Sequence, residues 1–318
     1  MTVRGGSGTR RRAGAALAAA VAALLCAACF PGGGGEPAGP DLPRPSIAAS
    51  PPPPPSVRAG MAALPLAAYG PSEELAQRRF QAVRVLTARC MRQAGYTSYD
   101  PADGSAAASP AAGATAGAGA GAAAATAGAG AADGSDGVAA GAFGYLGEQA
   151  EIRGFHTART GQARPGPPEL SEAEQTASDD CARRGLERIA DGGSKAAELY
   201  QRLYGESLRA TAADPRVVAA TAAWKDCMAR SGVPAEDPQS LAARYQGAGT
   251  AVTPQELAAA RADRDCTAGT GLAGVWFAVL AGYQRGQLDR HAGELEPLKQ
   301  AHAEQDRRYA RIIATGGE

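Results

Sequence analysis

Histidine is scarce in this chain: His156, His291 and His302 are the only three in 318 residues. His291 and His302 stand eleven apart, about three helical turns, on one helix face but too far apart to share a metal ion. There is no His-Glu-x-x-His and no close Cys/His cluster, so no metal site is expected. Lysine is equally rare, at three against 29 arginines, a bias that a GC-rich coding sequence produces unaided. The 32 basic residues merely balance the 32 acidic ones. Without a basic excess to neutralise phosphates, nucleic acid is not an expected partner. Catalytic signatures are missing too. No Gly-x-Ser-x-Gly elbow occurs, and no serine has an evident histidine and acid around it. Gly117 to Ala122 alternate Gly and Ala like part of a dinucleotide fingerprint, but no strand precedes them, and no cofactor is expected. Asp133-Gly134-Ser135-Asp136-Gly137 lacks the downstream glutamate of a calcium loop.

What is present begins at the N-terminus. Arg4, Arg10, Arg11 and Arg12 precede a run from Ala13 to Ala28 of mostly Ala, Leu and Val. This is the layout of an export signal, too weakly apolar for a good membrane span. Arg10-Arg11 lacks the apolar residues that follow the pair in twin-arginine signals. The signal closes on Leu25-Cys26-Ala27-Ala28-Cys29, which resembles the lipobox of bacterial lipoproteins, with Cys26 where that family carries Leu, Val or Ile. The resemblance implies cleavage before Cys29 and acylation of its thiol. Residues 29–69 then read as a flexible Pro/Gly-rich tether, with Gly32 to Gly35 and Pro51 to Pro55 in a stretch too poor in apolar residues to fold. Without the signal's four arginines the net charge is about −4.

Six cysteines are present: Cys26, Cys29, Cys90, Cys181, Cys227 and Cys266. Cleavage removes Cys26 and acylation consumes Cys29, leaving an even four in an oxidising compartment and hence two disulfides. Parity favours the lipid anchor.

The remainder, residues 70–318, reads as an all-α domain, a small disulfide-stapled helical bundle. Ser72-Glu73-Glu74 opens a helix with Phe80, Val83, Leu86, Cys90 and Ala94 on one stripe, ending at Gly95. Residues 102–142 hold almost only Ala, Gly, Ser, Thr, Asp and Pro, a low-complexity insert without a face to pack. Order is expected to resume near Phe143-Gly144-Tyr145 and Gly154-Phe155-His156. Ser171-Glu172-Ala173-Glu174 is a capping box, Ser194 caps a helix with Leu199, Leu203 and Leu208, and Asp214-Pro215 starts another. Asp237-Pro238 begins a short helix, and Thr253-Pro254-Gln255-Glu256 combines a capping box with proline at the first helical position. A long C-terminal helix follows, with bends or breaks expected at Gly269, Gly271 and Pro297. Trp224, Trp276, Tyr200, Tyr204 and Tyr283 sit at helical spacing and are expected in the core rather than lining a groove. Glu256, Arg261, Asp263, Arg264 and Asp265 read as a solvated charged face.

A weak repeat links the two halves. Cys90-Met91-x-x-x-Gly95 parallels Cys227-Met228-x-x-x-Gly232, and Asp180-Cys181 parallels Asp265-Cys266. If each half closes on itself the bridges are Cys90–Cys181 and Cys227–Cys266; the other two connectivities remain open. Trp224-x-x-Cys227-Met228-x-x-x-Gly232, with Asp-Cys on a later helix, resembles a group of secreted actinobacterial lipoproteins of unassigned function. That resemblance implies a surface location and carries no catalytic residue. The expectation is a lipid-anchored, non-catalytic helical interaction module on the outer face of the cytoplasmic membrane, touching an envelope protein or cell-wall component. The competing classes are a secreted hydrolase with dispersed carboxylates and a ligand-binding lipoprotein serving a transporter, though the strand-helix units usual in that class are missing.

Overall fold

The computed structural model describes residues 42–97, 99, 141–147, 150–155, 170–190, 193–246 and 251–317. The signal, Cys29, His156, Gly117 to Ala122, Asp133 to Gly137 and all but the last two residues of the insert lie outside them. Nine α-helices are present among the described residues, and no strand beyond a single Gly141–Gly144 bridge. They are α1 (Val57–Ala62), α2 (Glu73–Gln93), α3 (Ala150–Arg153), α4 (Glu172–Ile189), α5 (Lys195–Ala213), α6 (Pro215–Arg230), α7 (Pro238–Gln246), α8 (Pro254–Thr270) and α9 (Leu272–Thr315). A 3-10 turn, Pro65–Tyr69, joins α1 to α2. The all-α bundle is therefore the observed architecture.

Helix starts follow their capping chemistry. The side chains of Ser72, Ser171, Ser194, Asp214 and Thr253 each accept a hydrogen bond from a first-turn amide, satisfying a donor that the helix itself leaves unpaired. Ser171 and Glu174 close a complete capping box.

At 44 residues, about 65 Å, α9 is the spine. Its first turns bury Ala273, Trp276, Phe277, Leu280 and Tyr283 with Val217 and Ala210. Its middle packs Leu295 and Leu298 against Leu199 and Leu203 of α5 and Leu66 of the 3-10 turn. Its last turns pack Tyr309 and Ile312 against Leu75, Ala82 and Leu86 of α2 and Ile189 of α4. The axis turns by 62° at Gly271, whose φ of +67° caps α8 in the left-handed conformation. Of the three positions where a bend or break is expected, Gly271 ends a helix, while α8 runs unbroken through Gly269 and α9 through Pro297. The carbonyl its ring crowds belongs to Gly293, four residues back, and buried Leu295 and Leu298 hold both flanks in the α5 contact. No single helix among the described residues is long and apolar enough to cross a membrane.

The repeat corresponds to two stapled helix pairs. Cys90 of α2 joins Cys181 of α4, and Cys227 of α6 joins Cys266 of α8, with Cα separations of 5.6 Å in both. Both Cys-Met-x-x-x-Gly segments end alike. Gly95 and Gly232 have φ of +96° and +75°, and the next amide reaches back to the methionine carbonyl, Tyr96 to Met91 and Val233 to Met228, at 3.0 Å each. This is a Schellman closure, and each methionine is fully buried.

Two sequence expectations need correction. Phe80 is not on the packed face of α2 but 50% exposed, with the Arg84 guanidinium over its ring. The tether expected through residue 69 ends earlier, because residues 42–69 pack on the bundle. Val57, Leu64, Leu66 and Tyr69 are buried, and Leu42 and Ile47 lie against the α9 cluster. A proline-rich chain has little entropy to lose on docking, so few apolar residues suffice to hold it.

Candidate functional site: a proline strap and a buried acid

Residues 42–56 form an extended strap along α9. Leu42, Pro45, Ile47, Pro51 and Pro54 are half-buried and the other residues up to Pro55 are exposed, the period of three of a polyproline-type chain at each end with a break in register at Ile47 and a bend at Ala49-Ser50. Gly274 and Gly282, about two turns apart on α9, form the floor. A Cβ on Gly274 would run into the Pro51 carbonyl, and one on Gly282 would meet Pro45 Cβ at 2.5 Å. Glycine here gives close approach of two backbones, at about 1 kcal/mol of helix propensity per position.

One side chain latches the strap. Arg216 donates through Nη1 to the Pro45 carbonyl at 2.9 Å, while its Nε and Nη2 grip both oxygens of Asp214 at 2.8 and 2.7 Å. Asp214 is also the α6 cap and accepts from the Tyr283 hydroxyl at 3.1 Å. Burial pushes the Asp214 carboxyl up, but hydrogen bonds and charge from Arg216, with the Tyr283 hydroxyl, outweigh it and leave it below the usual range. The Tyr283 hydroxyl is raised by burial and by its bond to Asp214.

The second constellation contradicts the solvated reading of α8. Glu256 and Asp263 are buried, at 1% and 0% exposure. Asp263 Oδ1 accepts from Trp224 Nε1 at 2.8 Å and from the Thr267 hydroxyl at 3.0 Å, and the Tyr145 amide faces the carboxyl. Burial raises it to about 6 against those three hydrogen bonds. Glu256 Oε1 accepts from the Phe155 amide at 2.7 Å, while Thr253 caps the same helix through the Glu256 amide. The two acids thus pin the stretch after the insert, whose Tyr145, Ala150 and Phe155 fill the α6–α7–α8 core. Buried Oδ2 of Asp263 and the Tyr145 hydroxyl make no hydrogen bond. Asp263 lies at 0% exposure beside the Tyr145 and Trp224 core, where its carboxyl pins the loop. The neighbouring charges do reach water: Arg264 pairs with Glu151 and with Asp265.

Gly144 shows how close the stretch lies to α8. Its φ is +83°, and a Cβ there would overlap the Thr267 hydroxyl. Gly144→Ala is expected to lower stability by about 2–3 kcal/mol, combining left-handed strain with displacement of Thr267; unchanged thermal unfolding would show that the contact is dispensable.

The remaining candidates disperse. Trp224, Trp276 and Tyr283 are core residues, and Tyr200 and Tyr204 stack on each other, half-buried, with centroids 6.1 Å apart. His291 Nδ1 lies 2.7 Å from Glu294, and partial burial lowers His302. Among the described residues no group of three or more His, Cys, Asp or Glu is placed to hold a metal ion. The strap groove and the buried Asp263 escape a reading of the sequence. The Gly-x-x-x-Ala-x-x-x-Gly spacing is the one available signal for the groove. No family model matches the chain, and neither a curated protein nor a solved structure matches it.

Proposed function

We propose that this is an exported cell-envelope protein, anchored through acylated Cys29 to the outer face of the cytoplasmic membrane, and that its bundle is a non-catalytic interaction module. The cysteine accounting carries the reading. Cys90, Cys181, Cys227 and Cys266 are joined in two bridges, which suits an oxidising compartment and leaves Cys29 at the end of an export-type signal as the acyl acceptor. The module reading is supported by the two buried acids, Glu256 and Asp263, whose carboxylates are taken up in holding backbone and core groups in place.

Cys29→Ser tests the anchor. The wild-type protein should incorporate labelled palmitate and fractionate with membranes. The variant should lose the label and move at least tenfold into the medium. Equal distribution of the two proteins would overturn the anchor. For the module, cross-linking in intact cells should capture one recurrent envelope component, and saturable uptake of a small solute by the purified protein would instead favour a transporter-linked role.

A further inference from the structure

We propose that residues 42–56 are a clamp on the membrane tether, setting how far from its anchor the bundle can reach. The inference rests on acylation of Cys29. With the strap docked, Leu42 lies only 13 positions along the chain from Cys29, a reach of at most about 45 Å. With the strap released up to α1, Val57 lies 28 positions from Cys29, and the limit rises to about 100 Å. Docking therefore withdraws about half of the available tether.

Several features mark the strap as a detachable element rather than an ordinary core segment. Its inward residues are half-buried, whereas Ser56, Val57 and Gly60 at the start of α1 are buried. Among the described residues its one side-chain hydrogen bond to the bundle is Arg216–Pro45. The α9 helix gives up side chains at Gly274 and Gly282 to receive it, so the groove is shaped for a backbone. The prolines hold the strap extended before it docks, which keeps the entropic cost of docking low. The strap runs against the direction of α9, with Pro51 over Gly274 and Pro45 over Gly282. The chain therefore leaves the docked strap beside Arg216 and Tyr283.

The test uses the full-length acylated protein on a supported bilayer, with neutron reflectometry reading the gap between bilayer and bundle. The distance between spin-labelled non-canonical residues at Ala48 and Arg285, both exposed, reads docking separately. Two variants disturb the clamp by different routes: Gly282→Leu fills the groove, and Arg216→Gln removes the latch, together with the Asp214 ion pair, while leaving the groove open. In the wild-type protein the near edge of the bundle should stay within about 45 Å, with one short, narrow label distance. In the variants that distance should lengthen and broaden. The mean gap should widen at least about 1.5-fold, since the square-root growth of a flexible chain is a lower limit for a segment that prolines keep extended.

Should either variant fail to fold, judged by circular dichroism, the other carries the test. A long, broad label distance in the wild-type protein would overturn the clamp. So would a gap that stays constant while the label distance shows the strap released. Failure of the anchor reads differently: the intact mass lacks acyl chains and nothing is retained on the bilayer, while the difference in label distance between wild type and variants persists.

Discussion

Asp263→Asn is expected to abolish a loss of stability that the wild-type protein shows between about pH 4 and pH 7. The folded protein holds the Asp263 proton up to about pH 6, whereas an unfolded chain releases it near pH 3.9. The native state thus binds the proton more tightly. Its contribution is fully present below about pH 4 and disappears as pH rises through about 6. That difference in proton affinity between the folded and unfolded chain corresponds to about 3 kcal/mol. Asparagine keeps an acceptor for Trp224 Nε1 and Thr267 Oγ1 but cannot ionise, so its curve should flatten over this range. Asp263→Ala should cost about 3–5 kcal/mol at pH 4.5, since it strands the buried indole N–H and opens a cavity, and less at pH 7.5, where the wild type has already lost what its bound proton contributes.

Urea unfolding at pH 4.5, 6 and 7.5 separates these effects. The charges around the site, Glu151, Arg153 and Arg264, are common to wild type and variants, so they cancel in the difference. The carboxylates held below their ordinary values, Asp214, Asp180 and Glu174 among them, act in the opposite sense and weaken the protein only in acid. Parallel wild-type and Asn curves would mean that Asp263 is ionised throughout and that the three hydrogen bonds outweigh its burial.

Helix positions are legible because they are written in local chemistry: Ser171 with Glu174, Asp214 with Pro215, Thr253 with Pro254. The repeat is legible for the same reason. In Cys-Met-x-x-x-Gly each residue has one job, since cysteine forms the bridge, methionine enters the core and glycine takes the left-handed turn. The all-α class follows from these marks. Asp263 is not legible, because Arg261, Arg264 and Asp265 around it are exposed or half-exposed partners and its own burial depends on residues over 35 positions away. Offset counting within the repeat flags it. Three residues before the second cysteine of each pair stand Ser178 and Asp263, both fully buried. Ser178 Oγ lies 3.3 Å from the Tyr99 hydroxyl, whereas Asp263 bonds the Trp224 indole. The second half carries an acid where the first carries a hydroxyl.

The strap is hidden for a related reason. Composition marks proline and glycine as unable to form a core, which is true of the strap alone. Its partner is a glycine-floored face of α9 more than 200 residues later, and no local pattern connects them. Where a low-entropy chain meets a prepared backbone groove, few apolar contacts are enough.

Removing either disulfide should destabilise the bundle strongly, and the two losses should be nearly equal despite very different loops. Cys227–Cys266 spans 39 residues and Cys90–Cys181 spans 91. Loop-closure entropy assigns them about 4 and about 5 kcal/mol, a small difference because the cost grows only with the logarithm of length. The paired alanine variants at each bridge should therefore shift the urea midpoint downward by similar amounts. The same logarithm governs the insert. Deleting residues 102–140 shortens the first loop from 91 to 52 and should alter stability by only about 0.5 kcal/mol. A chain that closes the base of a long insert with a covalent bond can vary the insert's length at almost no thermodynamic cost, which fits a low-complexity segment between two stapled helices. Midpoints unmoved by loss of either bridge would show that the helix contacts alone hold each pair. A deletion that costs several kcal/mol would show that the insert packs on the bundle and that loop entropy is the wrong account of the first staple.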